Sequence, residues 1–421
     1  MELKPGYKKT EAGIIPEDWG IYTFAEVFEF LNTANNPRSD LSEIGDYKYI
    51  HYGDVHANQS AFFDCEREDI PRIQKSRVQH LPLVEDGDLI MVDASEDYEG
   101  TGVSVEVKNI KEQYVVAGLH TLLLRGNKEL ITNGYKGYIQ SIRFIKQELI
   151  KIATGISVYG ISKNNLKRIS IPLPPLPEQR LIATALSDVD ALIAVLDTLI
   201  AKKRLVKQGA MQELLTGKKR LPGFSREWET KKIAEITHTT AGGTPSTLVE
   251  SYWGGEIKWM SSGELHLKRV YDVDGRITEE GLQNSSTKII PPNCVLIGLA
   301  GQGKTRGTVA MNMVELCTNQ SIAAVFPSNV FIPDYLYYNL DSRYEELRSI
   351  STGDGGRGGL NLTLINNMEV PLPSLNEQQA IAEILSDMDY EITALEGRRE
   401  KTRLLKQGMM QELLTGRIRL T

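Results

Sequence analysis

The chain has little of what marks several large protein classes. Only three of its 421 residues are cysteines and none forms a CxxC pair, so neither a disulfide framework nor a structural zinc site is expected. No run of 18 apolar residues is present, and a typical transmembrane helix is therefore not predicted. The first residues also lack the apolar stretch of a signal peptide, so we expect the protein in the cytoplasm.

An excess of positive charge is also missing. The formal net charge at pH 7 is −7, and no long segment is basic overall. Nucleic-acid-binding proteins usually display a basic surface, so binding to DNA would depend on local patches or on positive charge from a partner. The length predicts two or three domains.

What the sequence does contain is an internal repeat. Residues 171–221 and 370–420 align without a gap at an offset of 199, and 29 of the 51 aligned positions are identical. In each copy, prolines favour an extended segment before a helix that is predicted to begin near Glu178 or Glu377. Gly217 and Gly416 occupy the positions of C-terminal helix caps. The chain therefore contains a duplication.

Apolar residues recur along both predicted helices at alternating spacings of four and three, which is typical of a coiled-coil seam. A helix over 178–215 would be about 57 Å long. We predict that the two helices pair antiparallel, and two separate helices packed on their own domains are the alternative. The second seam is expected to be lost at Arg399. The seam positions are Ile182, Leu186, Val189, Ile193, Leu196 and Ile200 in the first copy, and Ile381, Leu385, Met388, Ile392 and Leu395 in the second.

The segments before the helices repeat more faintly. Residues 15–28 resemble 223–236, which aligns Trp19 with Trp228, and 160–174 resemble 359–373. Short β-like runs separated by Gly, Asn and Pro dominate both segments. We therefore predict an α+β protein with pseudo-twofold symmetry, in which two similar β-rich domains are separated by two long antiparallel helices. The predicted boundaries are 1–174 and 218–373 for the domains, and 175–217 and 374–421 for the helical segments.

With these features the sequence resembles the specificity subunits of type I restriction–modification enzymes. The resemblance rests on PLPPLPEQ (172–179) and PLPSLNEQ (371–378), on MQELLTG at 211–217 and 410–416, and on the tract 241–265. It implies two target-recognition domains that each recognise one half of a bipartite, asymmetric double-stranded DNA target. The helices would then set the length of the spacer between the halves.

The resemblance also implies partners that carry the chemistry. Two methyltransferase subunits would dock on the chain and use S-adenosylmethionine, and two motor-nuclease subunits would use ATP and Mg. The chain itself is expected to be non-catalytic and to hold no cofactor. In agreement, the D/N-P-P-Y/F tetrad of adenine methyltransferases is missing from the sequence.

One motif supports a different function. Residues 298–305 fit the phosphate-binding pattern GxxxxGK[ST] of P-loop NTPases, but the residues after Thr305 are poor helix formers, and that loop needs a helix N-terminus to hold phosphate. We predict instead a glycine-rich hairpin that offers polar side chains to DNA, with a plain surface turn as the alternative. A coiled-coil scaffold that binds proteins is a further alternative, because the charge balance permits it.

Candidate DNA contacts are polar residues that follow predicted strands or lie in glycine-rich loops, where they could reach base edges or phosphates. For His120, a buried structural role remains open, and for Asn319, a strand-end cap. Tyr49 and Trp259 are predicted to be core residues. The candidates are His51, Tyr52, Asp54, Ser95, Tyr98, Thr101, His120, Tyr159, Lys163, Gly242, Gly243, Thr244, Ser261, Ser262, Glu264, Gln302, Lys304, Thr305, Arg306, Asn319, Gln320 and Arg357.

A second candidate set recurs at equivalent positions of the two helices, outside the heptad seam. Identity between two copies within one chain indicates a shared constraint, which is either helix pairing or the docking of two identical partners. We favour docking. The set comprises Gln208, Gln212, Glu213, Gln407, Gln411 and Glu412.

Overall fold

The computed structural model of the protein describes residues 5–58, 60–98, 100–301, 303–350 and 359–421. The chain divides into two compact units. The first contains the residues up to Asp197 together with Gly397–Thr421, and the second contains Thr198–Glu396. Each unit therefore combines one β-rich domain with segments of both long helices.

The first unit is built from short strands and short helices, followed by one long helix that begins in this unit. Its strands are β1 (Tyr7–Thr10), β2 (Gly13–Pro16), β3 (Gly20–Thr23), β4 (Phe28–Leu31), β5 (Tyr47–Ile50), β6 (Phe62–Asp64), β7 (Arg72–Ile73), β8 (Leu89–Val92), β9 (Ala94–Ser95), β10 (Ser104–Lys108), β11 (Val115–Ala117), β12 (Thr121–Gly126), β13 (Tyr159–Gly160) and β14 (Ser170–Leu173). Its helices are α1 (Phe24–Val27), α2 (Tyr52–Ala57), α3 (Lys75–Val78), α4 (Arg143–Ile152), α5 (Lys163–Leu166) and α6 (Leu176–Leu214).

The second unit has the same kind of composition. Its strands are β15 (Glu229–Lys232), β16 (Thr239–Ala241), β17 (Trp253–Met260), β18 (Arg269–Val270), β19 (Arg276–Ile277), β20 (Ile289–Ile290), β21 (Val295–Gly298), β22 (Val309–Asn312), β23 (Leu316–Thr318), β24 (Ile322–Val325) and β25 (Glu369–Leu372). Its helices are α7 (Ile233–Ile236), α8 (Glu279–Gln283), α9 (Pro333–Asp341), α10 (Tyr344–Ser349), α11 (Leu362–Asn366) and α12 (Leu375–Leu413).

The two domains share one sheet topology. The five-stranded sheet has the order β4-β12-β8-β10-β6 in the first unit and β16-β24-β21-β22-β18 in the second. In each, the last pair is parallel and the other neighbours are antiparallel. A second sheet contains the parallel pair β5–β11 in the first unit and β17–β23 in the second. The prediction of two similar β-rich domains is confirmed.

Side-chain alternation divides each domain core into two layers. In β8, Leu89 and Met91 pack on one face of the sheet, whereas Ile90 and Val92 pack on the other. The same alternation occurs in β21, where Val295 and Leu296 belong to different clusters. Successive strand residues point to opposite faces, so a continuous apolar run indicates a strand that is buried on both faces.

The two long helices confirm the sequence prediction. α6 and α12 each contain 39 residues and begin two residues before the predicted starts. Gly217 and Gly416 follow them with φ of +71° and +70°, a left-handed conformation that favours glycine at a helix end. Buried glutamines secure both starts, because the Gln179 and Gln378 side chains each donate a hydrogen bond of 2.9 Å to a proline carbonyl five residues earlier.

Within the first unit, the segments of α6 and α12 run antiparallel. Asp190 pairs with Lys406 at 2.5 Å and Asp197 with Arg399 at 3.0 Å, so the partner number falls as the residue number rises. The second seam therefore does not end at Arg399, as the sequence suggested. At this position the two helices remain in contact through an ion pair, because the partly buried Arg399 binds Asp197 where the heptad pattern would place an apolar residue.

The helix segments of the second unit are antiparallel as well. Lys207 pairs with Asp389 at 2.5 Å and Lys203 with Glu391 at 2.6 Å. Lys207–Asp389 and Asp190–Lys406 are the same contact at an offset of 199, found once in each unit. In both units the helix ends also pack on the domain core, as Leu186 does in the first and Leu385 in the second.

Candidate DNA-recognition site

Polar side chains of the first domain meet where β5 and β11 end. These strands are parallel neighbours, with Ile50 opposite Ala117, so the residues that follow them lie side by side. The ring centroids of His51 and Tyr52 are 4.3 Å apart, and the Tyr52 ring lies edge-on to His120 at 5.6 Å. The structure thus brings together three predicted contacts from two loops.

Burial separates the roles within this group. His51 is only 4% exposed; its ring accepts a hydrogen bond from the Gly53 N–H, and the Asp54 carboxylate accepts one from the His51 N–H at 2.9 Å. This is a capping box for α2, and burial lowers the pKa of the His51 imidazole. The structure therefore gives both residues a structural role. Burial corrects the prediction of His51 as a direct DNA contact, whereas Asp54 is partly exposed and its contact with DNA stays a prediction.

His120 differs from His51. Its side chain is 50% exposed, and its Nδ1 lies 3.2 Å from a carboxylate oxygen of Asp93. The alternative of a buried structural histidine is therefore wrong. His120 is available at the surface beside Tyr52.

A second group in the first domain is aromatic. β9 and β13 pair Ser95 with Tyr159, and the rings of Tyr98 and Tyr159 lie 3.8 Å apart. Thr101 requires a correction, because it is only 4% exposed and its hydroxyl donates to the Asp97 carbonyl at 2.9 Å. Lys163, at the start of α5, is partly exposed.

The second domain places its candidates on the same frame. β17 and β23 are parallel, with Met260 opposite Thr318, so Ser261 corresponds to His51. The Glu264 carboxylate accepts hydrogen bonds from the N–H of Ser261 at 2.8 Å and from its hydroxyl at 2.9 Å. Ser261 and Glu264 therefore cap the 3₁₀ turn Ser262–Leu267. Ser261, Ser262 and Glu264 are all partly exposed, and their contact with DNA stays a prediction.

Two further segments meet beside that cap. The Thr244 hydroxyl donates to the Gln320 side-chain carbonyl at 2.5 Å, and both residues are exposed. The Asn319 side chain accepts a hydrogen bond from the Ser321 N–H at 3.1 Å. Asn319 thus has the local capping role that the sequence left open, whereas Gln320 and Thr244 form a polar pair at the surface.

The two glycines before Thr244 serve close packing. A Cβ at Gly242 would overlap the Thr318 carbonyl, and one at Gly243 would overlap Ser286 and Thr287. Gly242 and Gly243 thus allow the close packing of this loop, and their contact with DNA stays a prediction. Trp259 is only partly buried and donates to the Gly243 carbonyl at 2.9 Å, whereas Tyr49 is fully buried, as predicted.

The glycine-rich segment after β21 is a hairpin loop. β21 and β22 are antiparallel, with Ile297 opposite Val309, so a strand follows Thr305 where a phosphate-binding loop requires a helix. The loop rests on α10, where the Arg348 guanidinium donates to the Gly303 carbonyl at 2.8 Å. Lys304 is exposed, and Thr305 and Arg306 are partly exposed. The predicted contacts Gln302 and Arg357 lie outside the described residues.

Comparison with known proteins decides the family. The protein family described as "Type I restriction modification DNA specificity domain" matches residues 16–202 and again residues 225–405. The chain belongs to this family. It carries two specificity domains, one in each unit, and the P-loop NTPase and scaffold alternatives are not supported.

Individual relatives agree with this assignment. A Methanocaldococcus jannaschii protein assigned as the MjaX type I restriction enzyme specificity subunit is 25% identical over 432 residues, which cover 98% of this chain and 96% of the relative. The EcoR124I/EcoR124II specificity subunit of Escherichia coli is 30% identical over 237 residues, covering 54% and 57%. The crystal structure of the S subunit from M. genitalium has the same fold, with a TM-score of 0.60 at 13% identity over 98% of each chain.

The repeated helix residues of this specificity protein lie on its surface. Gln208, Gln212, Gln407 and Gln411 are exposed, as is Glu213, whereas Glu412 is partly exposed and pairs with Arg417 at 2.9 Å. These positions lie outside the buried seam. Their exposure favours docking over helix pairing, and the docking role stays a prediction.

Sequence reasoning missed the buried carboxylates at the helix starts. Glu178 is 3% exposed and accepts hydrogen bonds from Trp19 at 3.1 Å and from Arg419. Glu377 is 1% exposed and does the same with Trp228 and Arg220. The signal was present, because Glu178 and Arg220 both recur at the 199-residue offset.

The described residues were also compared with the requirements for membrane-spanning helices and for metal sites. Among the described residues, no helix combines the length and the hydrophobicity needed to cross a membrane. Over the same part of the chain, no three or more histidine, cysteine or acidic side chains converge in a way that could hold a metal ion.

Proposed function

We propose that this chain is the DNA-recognition subunit of a type I restriction–modification complex, and that each specificity domain recognises one half of a bipartite, asymmetric double-stranded target. One observation carries the proposal. The same frame of strands and caps occurs twice, but the side chains on it differ, with His120 on one frame and Ser321 at the equivalent position of the other. Hydrogen-bonding side chains at base edges determine which sequence is bound, so the two domains should recognise different half-sites.

The partners in this proposal supply the chemistry. Two methyltransferase subunits that use S-adenosylmethionine would dock on the repeated helix surfaces around Gln212 and Gln411, and two motor-nuclease subunits would use ATP and Mg. The duplication supports this stoichiometry, because it offers the same residues twice to two copies of one partner. Such a complex would act on DNA in the cytoplasm.

In the proposed complex the helices set the spacer length. Each helix begins in one unit and ends in the other, so its length should determine the number of unread base pairs. Seven residues inserted between Asp197 and Thr198, with seven more between Glu396 and Gly397, preserve the contacts within each unit and the heptad pattern. The insertion adds about 10 Å, which corresponds to about three base pairs of DNA at about 34 Å per turn of 10 pairs.

Methylome sequencing of a host that expresses the complex tests the proposal. The wild-type complex should methylate one bipartite motif, and the lengthened variant should methylate the same two half-sites with a longer spacer. As a matched test of identity, replacing 218–370 with the equivalent domain of a relative should change one half-site only. Altered half-sites after the insertion, or two altered halves after the replacement, would contradict the proposal.

A further inference from the structure

The two specificity domains share a backbone frame beside the candidate site, yet carry different side chains on it. In the first domain the Asp93 N–H donates to the His120 carbonyl at 3.2 Å, and the Ile161 N–H donates to the Asp93 carbonyl at 2.7 Å. In the second, the Leu299 N–H donates to the Ser321 carbonyl at 2.8 Å, and the Leu360 N–H to the Leu299 carbonyl at 3.0 Å. An acid–imidazole pair therefore occupies the first frame, where a leucine and a serine occupy the second.

The backbone of His120 is strained. Its φ is +56°, in the left-handed region that non-glycine residues rarely adopt, whereas Ser321 has no positive φ. Such a conformation costs free energy and persists only where the surroundings enforce it. Here the Leu119 N–H donates to the buried Tyr49 hydroxyl at 2.8 Å, and the Thr121 hydroxyl donates to the Gly118 carbonyl at 2.6 Å. Strain that is maintained at an exposed side chain points to a function for that side chain.

The imidazole itself is oriented. Because an ionised carboxylate only accepts hydrogen bonds, Nδ1 of His120 donates to Asp93 across the 3.2 Å contact. The Tyr52 ring lies edge-on to the imidazole. Asp93 is fixed in turn, since both its N–H and its carbonyl are bonded. Nε2 of His120 makes no hydrogen bond to any of the described residues. The side chain that carries it is 50% exposed.

We propose that His120 is a specificity-determining residue whose Nε2 accepts a hydrogen bond from a base edge in the half-site of the first domain. In the tautomer that donates from Nδ1 to Asp93, Nε2 is an acceptor, and the major-groove donors are the exocyclic amines of adenine and cytosine. Asp93 is the positioning residue, because its carboxylate orients the ring and fixes this tautomer. This inference rests on the proposed function and names one contact within it.

Other titratable groups face the same cluster. The centroid of the His51 ring lies 4.3 Å from that of Tyr52, and His56 is edge-on to the Tyr52 ring at 6.1 Å. Asp54 accepts a hydrogen bond from the His51 N–H and pairs with Arg38 at 3.4 Å. The charges of these groups would also act on bound DNA, so the role of His120 is measured as a difference between variants.

The first experiment is methylome sequencing with His120→Ala in the complete complex. The variant should lose the requirement for adenine or cytosine at one position of one half-site, with the other half-site and the spacer unchanged. His80→Ala is the matched control, since His80 is an exposed histidine of the same domain outside the cluster. If the wild-type complex shows no bipartite motif, the proposed function fails; if it does and His120→Ala leaves the motif unchanged, only this inference fails.

Binding to DNA that contains base analogues is a second test, for use if His120→Ala methylates DNA too weakly for its motif to be determined. Each adenine of the half-site is replaced in turn by purine, and each cytosine by 2-pyrimidinone, so that the exocyclic amine is removed. Wild-type complex should lose about tenfold in affinity at one position, and His120→Ala should lose nothing there. An equal loss of affinity of His120→Ala on all DNA sequences would indicate a phosphate contact and overturn the inference.

Base discrimination tests Asp93. Asp93→Asn keeps an acceptor oxygen for Nδ1 of His120, so this variant should keep the base preference at the position that His120 contacts. Asp93→Ala releases the ring and should lose about tenfold in affinity for the preferred base at that position alone. A purely structural role would lower the affinity equally on all DNA sequences, and such a uniform loss in Asp93→Ala would refute the positioning role.

Discussion

Removing Arg419 should destabilise the first unit far more than the loss of a surface charge would. The guanidinium of Arg419 donates from Nε to one oxygen of Glu178 at 2.7 Å and from Nη2 to the other at 2.8 Å. The same Nη2 also donates to Asp18 at 2.7 Å. In Arg419→Met the apolar stem of the side chain is kept, but the buried carboxylate loses its charged partner.

The magnitude follows from the burial of Glu178. Removing one partner of a buried ion pair costs about 3–5 kcal/mol, because the remaining charge stays desolvated. Glu178 keeps its hydrogen bond from Trp19, so we expect the lower end, about 3 kcal/mol. For a unit of this size, the melting temperature should fall by about 6–12 °C. Glu377 keeps its own partner, Arg220, so the second unit should be unaffected.

Calorimetry and peptide-resolved hydrogen exchange on the full chain measure this effect. The exposed pair Arg417–Glu412 supplies the matched control, since both side chains are more than one-third exposed, and Arg417→Met should cost at most about 1 kcal/mol. Combining Arg419→Met with Glu178→Gln should recover part of the loss, because no buried charge then remains. Equal melting temperatures for the Arg419 and Arg417 variants would refute the reasoning.

Three further predictions concern the hairpin, the chemistry and the thiols. Lys304→Ala and Arg306→Ala should each weaken DNA binding by the partner complex by about 1–3 kcal/mol for a base contact; unchanged binding would make the hairpin a plain surface turn. The purified chain should neither hydrolyse ATP nor methylate DNA, and turnover that Lys304→Ala removes would contradict this. Burial raises the pKa of Cys65 and Cys294 to about 12, so both thiols should resist a thiol reagent near pH 8 until the chain unfolds; rapid labelling of the native protein would count against it.

The long helices were predictable because their signals are local. Prolines before each helix, Gly217 and Gly416 after it, and apolar residues at spacings of four and three all lie within the repeated segment. Antiparallel pairing required only the duplication and the seam. The continuation past Arg399 was not predicted, because an apolar pattern cannot reveal an ion pair with Asp197, whose partner is about 200 residues away in sequence.

For the candidate DNA-recognition site, the sequence predicted which loops are involved but not the role of each residue in them. Strand ends placed His120, Gln320 and Thr244 at the surface, but capping and contact roles look alike in sequence. Ser261 and Glu264 do follow the S-x-x-E pattern of a capping box, a signal that could have predicted their capping role. His51 gave no such signal, because histidine is not among the preferred capping residues.

The duplication also separates residues that maintain the frame from those that vary upon it. Glu178 and Glu377 make the same buried contacts in the two units, as do Asp190 and Asp389 with a tyrosine hydroxyl at 2.8 Å. A change at such a position would leave a buried carboxylate or hydroxyl unsatisfied, so both copies retain the same chemistry. Exposed positions on the frame carry no such penalty. A single fold can therefore hold an imidazole on one frame and a hydroxyl on the other, and we expect a chain that presents different side chains from two like domains to select an asymmetric target.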